Sequence, residues 1–406
     1  MMPSSFISLA LVCMCAASSL AQRSLVLTEV TVIDGTGAAI RPNSAVIITG
    51  NRIDSIVDTR RRESFPRDAR VIPAPGKFVI PGLWDMHVHL GAKDLPLFVA
   101  YGITGVRDMG NRLSDVDSWR EQIADGTLIG PEIFRVGPIL NGQVFGPMHV
   151  QVGNESEARA AVRVLKHVGV DAIKLHNMLP REAYFGLSDE AKKLGIPFVG
   201  HIPVTVTAQE ASDAGQASIE HMETLFEGGS PLKREDTPAL FERFVRNGNA
   251  YTPTLVNYRG SAEPANIDPA LLQKYPDIPA GRKRIFNQFL ELLRLMSESG
   301  VLLMTGTDLG SKWISPGSSL HDELAIFVEA GLTPMQALQA ATRNPARFLH
   351  VEAGTIEPGK AANLVLLDAN PSEDIRNTGR IHAVILNGRL LDKSQLQRLL
   401  QNSHSK

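Results

Sequence analysis

The middle of the chain, from about residue 81 to residue 349, alternates short apolar segments with amphipathic helical segments, and this alternation restricts the fold most strongly. Helical periodicity with charged faces is clearest in residues 155–168, 181–194 and 282–299. Apolar runs that alternate with helices predict a parallel sheet. Eight such runs occur, at residues 83–90, 104–109, 132–140, 172–176, 197–202, 218–222, 251–256 and 302–307.

This pattern predicts an α/β fold. Eight strand–helix units in about 270 residues match the size of a (β/α)8 TIM barrel, which we expect to span residues 81–350. An open doubly wound sheet is the alternative. A dinucleotide-binding version of that sheet would carry a Gly-x-Gly-x-x-Gly element after its first strand, and the sequence has none there.

Both ends of the chain are rich in short strand-like segments. Residues 22–80 contain several β-branched runs separated by Gly, Asn and Pro. Residues 351–406 show the same pattern, with turns predicted at Pro358-Gly359 and Asn387-Gly388. Two strand-rich ends around a different middle predict one discontinuous domain, which we expect to be a small β-sandwich.

The first 21 residues are typical of a cleaved signal peptide, with an apolar run at residues 6–17 followed by Ser19, Leu20 and Ala21. A secreted or periplasmic protein is therefore expected. No other stretch offers the ~18 apolar residues of a membrane span, so no membrane association is expected after cleavage. Both cysteines, Cys13 and Cys15, fall in this segment. Disulfides, thiolate ligands and a cysteine nucleophile are thereby excluded from the predicted mature chain.

The charge balance bears on the choice of partner. Lys and Arg number 41 against 43 Asp and Glu, which gives a net charge of −2. A protein that binds nucleic acid through bulk positive charge is excluded by this balance. A small-molecule partner is expected, and homo-oligomerisation is left open.

Polar side chains follow several of the predicted strands, where reacting groups lie in a parallel barrel. His87 and His89 are spaced by two, so on a strand they project from the same face. Imidazole and carboxylate ligands suit zinc and its first-row neighbours. Lysine carries a charge that repels cations, but after carboxylation by carbon dioxide it would be an anion able to bridge two metals. The six candidates are His87, His89, Lys174, His201, His221 and Asp308.

These residues and their surroundings resemble the amidohydrolase superfamily. The closing segment resembles the imidazolonepropionase-related and Xaa-Pro dipeptidase (prolidase) branch. The motifs are His87-x-His89, Lys174, Val199-Gly200-His201-Ile202-Pro203, Ile219-Glu220-His221, Gly306-Thr307-Asp308, His321-Asp322-Glu323-Leu324, Asn344-Pro345-Ala346, Pro358-Gly359-Lys360 and Asn363-Leu364-Val365.

The resemblance implies a binuclear centre with two divalent cations, for which zinc is the expected metal. It implies that His87, His89 and Asp308 hold one metal and that His201 and His221 hold the other. N6-carboxylated Lys174 and a hydroxide would bridge the two. Asp308 would be the general acid and base.

The resemblance also implies a tyrosine and a histidine that stabilise the oxyanion. Tyr251, with Tyr258 as the alternative, and His149 are the candidates. Relatives carry Gly-Gly-His after the third strand, whereas this chain has no such triplet before His149. An ordinary loop histidine is the alternative for His149, and barrel packing is the alternative for Tyr251.

Two further features receive simpler interpretations. His176 would share a strand face with Lys174, and we expect it to be a polar rim residue. Arg107 and Asp108 are expected to pair with each other.

Three functions remain for such a chain. The first is a binuclear metal hydrolase that cleaves the amide bond of an Xaa-Pro or other dipeptide, or of an N-acyl amino acid. The second is a mononuclear member of the same superfamily, either a deaminase or a cyclic-imide hydrolase related to imidazolonepropionase. The third is a solute-binding barrel that has lost catalysis.

Overall fold

The computed structural model describes residues 24–62, 65–227, 230–231 and 235–402. The predicted signal peptide, residues 1–21, lies outside the described residues. None of the described helices combines the length and the apolar character that crossing a membrane requires.

The secondary structure alternates as the sequence predicts. The strands are β1 (Leu25–Val32), β2 (Arg41–Thr49), β3 (Arg52–Asp58), β4 (Arg70–Pro73), β5 (Phe78–Pro81), β6 (Leu83–Val88), β7 (Ile103–Asp108), β8 (Glu132–Arg135), β9 (Ile139–Asn141), β10 (His149–Gln151), β11 (Ile173–Leu175), β12 (Phe198–Gly200), β13 (Ser218–Glu220), β14 (Phe226–Glu227), β15 (Ser230–Pro231), β16 (Ala250–Thr252), β17 (Leu302–Leu303), β18 (Leu364–Leu367), β19 (Ile381–Leu386) and β20 (Arg389–Leu391). The helices are α1 (Leu95–Ala100), α2 (Leu113–Asp125), α3 (Glu155–His167), α4 (Arg181–Leu194), α5 (Ala208–Asp213), α6 (Thr237–Asn247), α7 (Leu255–Ala262), α8 (Pro269–Lys274), α9 (Ile278–Glu298), α10 (Ser318–Glu329), α11 (Pro334–Ala340), α12 (Arg343–Leu349) and α13 (Lys393–Asn402).

The two ends of the chain form one mixed sheet. Its order is β20-β19-β18-β5-β1-β2-β3, with β4 beside β1. Strand β18 runs antiparallel to β5, so the C-terminal segment pairs with the strand that precedes β6. Leu27, Val46, Ile385 and their neighbours give this sheet an apolar core of its own. A small β-sandwich was expected from the two chain ends, and the described strands of both ends are joined into this one sheet.

The middle of the chain forms two sheets of parallel strands. One has the order β6-β7-β8 and the other the order β10-β9-β11-β12-β13-β16-β17. They adjoin on one side, where Asp308 N donates a hydrogen bond of 2.8 Å to His87 O. They adjoin on the other side as well, where Asp171 N donates one of 2.9 Å to Arg135 O. Helices separate most successive strands, as in α/β proteins built from strand–helix units.

The third predicted strand is divided in two. Residues 132–140 were expected as one strand, but β8 ends at Arg135 and β9 begins at Ile139. Gly137 has φ +72°, and Pro138 has no N–H to donate to a ladder. The break lets β8 pair with β7 while β9 pairs with β11.

Gly105 on β7 provides a test of interior packing. A Cβ added there would lie 2.4 Å from a ring carbon of Trp84, whose side chain is 1 % exposed and cannot move aside. We expect Gly105→Ala to lower the free energy of unfolding by about 1–3 kcal/mol because the core would be overpacked. Urea denaturation would measure the change.

The control is Gly281→Ala in helix α9, where the nearest heavy atom to an added Cβ is the end of the flexible Arg284 side chain at 3.8 Å. This variant should be as stable as the wild type or more stable, since alanine favours a helix. Equal destabilisation by both substitutions would contradict the packing explanation.

Candidate metal centre

A cavity of about 470 Å³ opens at the C-terminal ends of the parallel strands. His87 lies on β6 and Lys174 on β11, while His201 and His221 directly follow β12 and β13. The side chains that line this cavity include all the predicted ligands: His87, His89, Lys174, His201, His221 and Asp308. Six side chains from distant parts of the sequence therefore meet in one cavity.

Three of these residues form a compact ligand group. The donor atoms of His87, His89 and Asp308 all lie within 4.8 Å of one another. Asp308 Oδ1 is 3.5 Å from His87 Nε2 and 3.7 Å from His89 Nε2. Two imidazoles and a carboxylate at this spacing could hold one divalent cation.

The remaining histidines continue from this group as a row of rings. The ring centroids of His87 and His221 are 4.5 Å apart, and those of His221 and His201 are again 4.5 Å apart. Lys174 lines the same cavity with a side chain that is 1 % exposed. The cavity thus contains more donor side chains than a single cation would bind.

Unsatisfied buried atoms test whether a metal fits here. His87 Nε2, His201 Nδ1 and Lys174 Nζ are buried and have no hydrogen-bond partner within the described ranges. A buried polar group without a partner costs about 1–3 kcal/mol. Cations that coordinate the two imidazole nitrogens would remove that cost, so the donor set fits divalent metal ions.

Burial also sets the protonation of these groups. It lowers the pKa of His221 to about 3 and holds the pKa values of His87 and His201 well below the usual range. The rings are therefore neutral at pH 7, and each keeps a lone pair for a metal. Burial likewise lowers the pKa of Lys174 to about 8, so its amine is neutral far more often than that of a surface lysine.

Strained backbone occurs at two of the ligands. His221 has φ +70° and Asp308 has φ +58°, in the left-handed region that residues other than glycine rarely adopt. Thr254, whose Oγ1 lies 2.8 Å from His221 Nδ1, has φ +52°. Such conformations cost of order 1–3 kcal/mol each and cluster at functional sites.

A buried network orients the His87 ring. His87 Nδ1 donates to Glu220 Oε2 at 2.9 Å, and Arg107 Nη2 donates to Glu220 Oε1 at 2.7 Å. Arg107 Nε is held by Met86 O at 2.7 Å. Because a carboxylate can only accept, the proton of His87 is on Nδ1, and Nε2 is left free to bind a metal.

The expected pairing of Arg107 with Asp108 is wrong. Adjacent strand residues point to opposite faces of a sheet, so the two side chains diverge. Arg107 bonds to Glu220, whereas Asp108 Oδ1 accepts from Leu90 N at 3.2 Å and from Asn111 Nδ2 at 3.3 Å.

Tyr251 does not line the cavity. Its hydroxyl donates to His221 O at 2.7 Å and lies 3.2 Å from Thr224 Oγ1, and the side chain is fully buried. This placement matches the barrel-packing alternative and does not fit contact with a substrate. Tyr258 lines the cavity instead, and its buried hydroxyl has no partner in the described part of the chain.

Helix α7 carries Tyr258 into position. The buried Glu323 carboxylate accepts from Leu255 N at 3.0 Å and from Val256 N at 2.6 Å, which anchors the first turn of the helix. Asn257 on the same helix donates from Nδ2 to Asp308 Oδ2 at 2.5 Å. Helix α7 therefore bears one cavity tyrosine and one contact to a predicted metal ligand.

His149 and His176 both line the cavity. Their ring centroids are 5.3 Å apart, and the His176 ring lies 4.2 Å from that of His201. His176 was expected at the rim, and it packs directly against a predicted ligand. Its Nδ1 donates to Asn177 Oδ1 at 2.7 Å, so its Nε2 is an acceptor.

Sequence reasoning missed Glu223, Phe145 and Asn257 as cavity residues. Glu223 follows His221 by two positions, and that spacing was the only signal for it. Phe145 and Asn257 lie beyond the strand ends, on a loop and on a helix. Their positions depend on the course of those segments, which periodicity does not predict.

Comparisons with known proteins show what the chain is similar to. Residues 78–391 match the family model described as "Amidohydrolase family". Ochratoxinase of Aspergillus niger is 24 % identical over 371 residues, covering 73 % of this chain and 72 % of that enzyme. A crystal structure of a Xaa-Pro dipeptidase with bound methionine in the active site has a TM-score of 0.76 and 25 % identity, covering 91 % of this chain and 100 % of that one. Imidazolonepropionase of Geobacillus is 35 % identical over 111 residues, a quarter of each chain.

The network below His87 leads to a prediction about metal affinity. In Glu220→Gln, one of the two carboxylate oxygens becomes an NH2 group, which donates and so cannot accept from His87 Nδ1 or Arg107 Nη2. We expect metal affinity at the group of His87, His89 and Asp308 to fall about 10- to 100-fold. The metal content per chain would be measured after dialysis against a dilute chelator. The melting temperature of the metal-free protein would be measured as well.

Glu190→Gln is the matched control, since Glu190 also bonds to two arginines, Arg159 and Arg163, but far from the cavity. It should retain the metal content of the wild type. A Glu220→Gln protein that retained its metal as well would show that the network does not orient the ligand.

Proposed function

The chain belongs to the amidohydrolase family, whose members are hydrolases of carbon–nitrogen bonds, and on this premise we propose that it is a binuclear metal-dependent hydrolase. It would cleave the amide bond of a small substrate such as an Xaa-Pro or other dipeptide or an N-acyl amino acid. The proposal includes a closed (β/α)8 barrel and, from the signal-like first 21 residues, a secreted or periplasmic location. One observation carries the activity: six ligand-type side chains meet in one cavity, where two imidazole nitrogens and an amine are buried without partners among the described residues.

The ligand assignment follows the positions in the cavity. His87, His89 and Asp308 would hold one divalent cation, and His201 and His221 a second, with zinc the expected metal. When bound, the cations would supply Lewis-acid chemistry that lowers the pKa of water and polarises the substrate carbonyl. All other steps fall to side chains of this chain.

Lys174 is proposed to be N6-carboxylated and to lie between the two cations. Its amine is buried among histidines and has no partner in the described residues, so an ammonium there is poorly stabilised. Carboxylation by carbon dioxide joins the neutral amine to the carbon and releases the N–H proton. The product is an anion with two oxygen donors, which suits the space beside two cations.

Asp308 is proposed to move the proton. Asn257 Nδ2 fixes one carboxylate oxygen, and the other lies near His87 and His89. The carboxylate would accept a proton from the attacking water and donate it to the leaving nitrogen. Tyr258 and His149 would donate hydrogen bonds to the carbonyl oxygen as it becomes negative.

Part of the cavity wall is apolar and would face the leaving group. Leu90, Ile139, Phe145 and Met148 line it. An amide whose leaving amine carries an apolar body, as a proline does, would cover this wall without leaving a polar group unpaired.

A mononuclear deaminase or cyclic-imide hydrolase is the second candidate. It is favoured by the finding that, in the described part of the chain, only His87, His89 and Asp308 have donor atoms all within 4.8 Å of one another. The third candidate, a solute-binding protein without catalysis, would leave the cavity ligands without a chemical use.

Metal analysis of purified protein followed by a substrate screen tests the proposal. We expect two divalent metal ions per chain and turnover of dipeptides or N-acyl amino acids. One metal with turnover of cyclic imides or aminated rings would support the mononuclear alternative. Metal-loaded protein that binds a small solute tightly but hydrolyses nothing would support the third function.

Lys174→Ala should separate one-metal from two-metal chemistry. We expect metal content to fall from two ions to one and kcat to fall at least about 100-fold, because the bridging anion would be lost. Metal analysis and steady-state kinetics with and without carbon dioxide would measure this. Lys192→Ala, in the last turn of α4, should leave both values unchanged. A fully active Lys174→Ala enzyme with one metal would overturn the binuclear proposal.

The two tyrosines should differ in their roles. Tyr258→Phe should lower kcat about 100- to 1,000-fold if its hydroxyl stabilises the oxyanion, while the melting temperature stays close to that of the wild type. Tyr251→Phe should act mainly on stability, since it removes a hydrogen bond to His221 O. The reverse pattern, measured by kinetics and thermal melting, would contradict this assignment.

A further inference from the structure

A second cavity adjoins the metal centre. Its volume is about 350 Å³, and it lies beside the loops that follow β12 and β13. His201 and Glu223 line both this cavity and the larger one. The two spaces therefore share a wall at these two residues, and we term the second space the side cavity.

Part of the side-cavity wall is apolar. Ile202, Val206, Ala208 and Leu225 line it, and each is buried. Val204, also in the lining, is 73 % exposed and stands at the entrance. Buried apolar walls with an open entrance are typical of a pocket for a hydrophobic group of a ligand.

Glu223 places a carboxyl group at the shared wall. It lies in the short turn Met222–Leu225 that follows His221, and its side chain is exposed to the cavities. The charge of Lys174, which lines the larger cavity, acts on this carboxyl group through space. When it is ionised, this carboxyl group attracts a cation and repels a carboxylate or a phosphate.

These features match the geometry of one chemical group. In an α-amino acyl group, the carbonyl, the ammonium and the side chain are all attached to a single carbon. A carbonyl at the metal centre would bring the ammonium towards the shared wall and direct the side chain into the side cavity. An N-acylated amine has no charge for Glu223 to bind.

We propose that the side cavity is the subsite for the apolar side chain of an α-amino acyl substrate and that Glu223 binds its free ammonium. The inference rests on the proposed amide hydrolysis, which places the scissile carbonyl at the metal centre. It selects dipeptides with a free N-terminus and a branched or aromatic first residue over N-acyl amino acids.

Kinetics with matched substrates test the role of Glu223. We expect the metal-loaded enzyme to hydrolyse Leu-Pro with a higher kcat/KM than N-acetyl-Leu-Pro. Glu223→Gln should raise KM for Leu-Pro about 10- to 100-fold with kcat changed less than about threefold, because a charge-assisted hydrogen bond is weakened. Glu182→Gln, on the exposed first turn of α4, is the matched control and should match the wild type.

The side cavity is tested separately with Val204→Trp. The larger side chain should narrow the entrance and lower the ratio of kcat/KM for Leu-Pro to that for Gly-Pro about tenfold. An unchanged ratio, or an unchanged KM in Glu223→Gln, would overturn the subsite.

Binding measurements distinguish failure of the subsite from failure of the proposed function. Calorimetric titration of metal-loaded protein with L-leucine should show binding that N-acetyl-L-leucine lacks and that Glu223→Gln weakens. This result without hydrolysis of any amide would support the subsite and overturn the hydrolase proposal. Hydrolysis that is indifferent to Glu223 and to the N-terminal charge would overturn the subsite and leave the hydrolase standing.

Discussion

The burial of nitrogen donors without partners is the constraint on which the rest of the structure depends. His87, His201 and Lys174 each hold a polar atom away from water in one cavity, and no neighbouring side chain in the described residues satisfies those atoms. Such an arrangement is unfavourable unless a ligand completes it. The Arg107–Glu220 pair adds to it by fixing the proton of His87 on Nδ1 and directing the other nitrogen to the cavity.

The ligand set could be predicted because the local sequence shows where an apolar strand ends. A polar residue that ends an apolar run lies at the C-terminal edge of a parallel sheet, and this rule alone identifies His87, Lys174, His201, His221 and Asp308. The strand-rich chain ends and the α/β middle could also be predicted from the sequence, since both follow from its hydrophobic periodicity. The family resemblance then assigned roles that spacing could not.

Features that depend on the course of the loops could not be predicted from the sequence. Tyr251 and Tyr258 are seven residues apart, and only the position of α7, fixed by the distant Glu323, decides which one reaches the cavity. The division of the third strand depends on the backbone at Gly137, and the site of Glu223 depends on the short turn after His221. The partner of Arg107 was missed because strand alternation, which separates it from Asp108, was not applied there.

The pairing of β18 with β5 has a consequence for biosynthesis. Strand β5 ends at Pro81 and β6, which carries His87, starts at Leu83, so the first ligand-bearing strand is tethered to the small sheet. The strand pairs of β5 in that sheet are completed only when residues 364–367 have left the ribosome, after every other ligand has been made. Chain ends that meet late give a high contact order and slow closure. A nascent polypeptide would thus expose all of its metal-binding side chains before the strand that anchors the first of them has been synthesised.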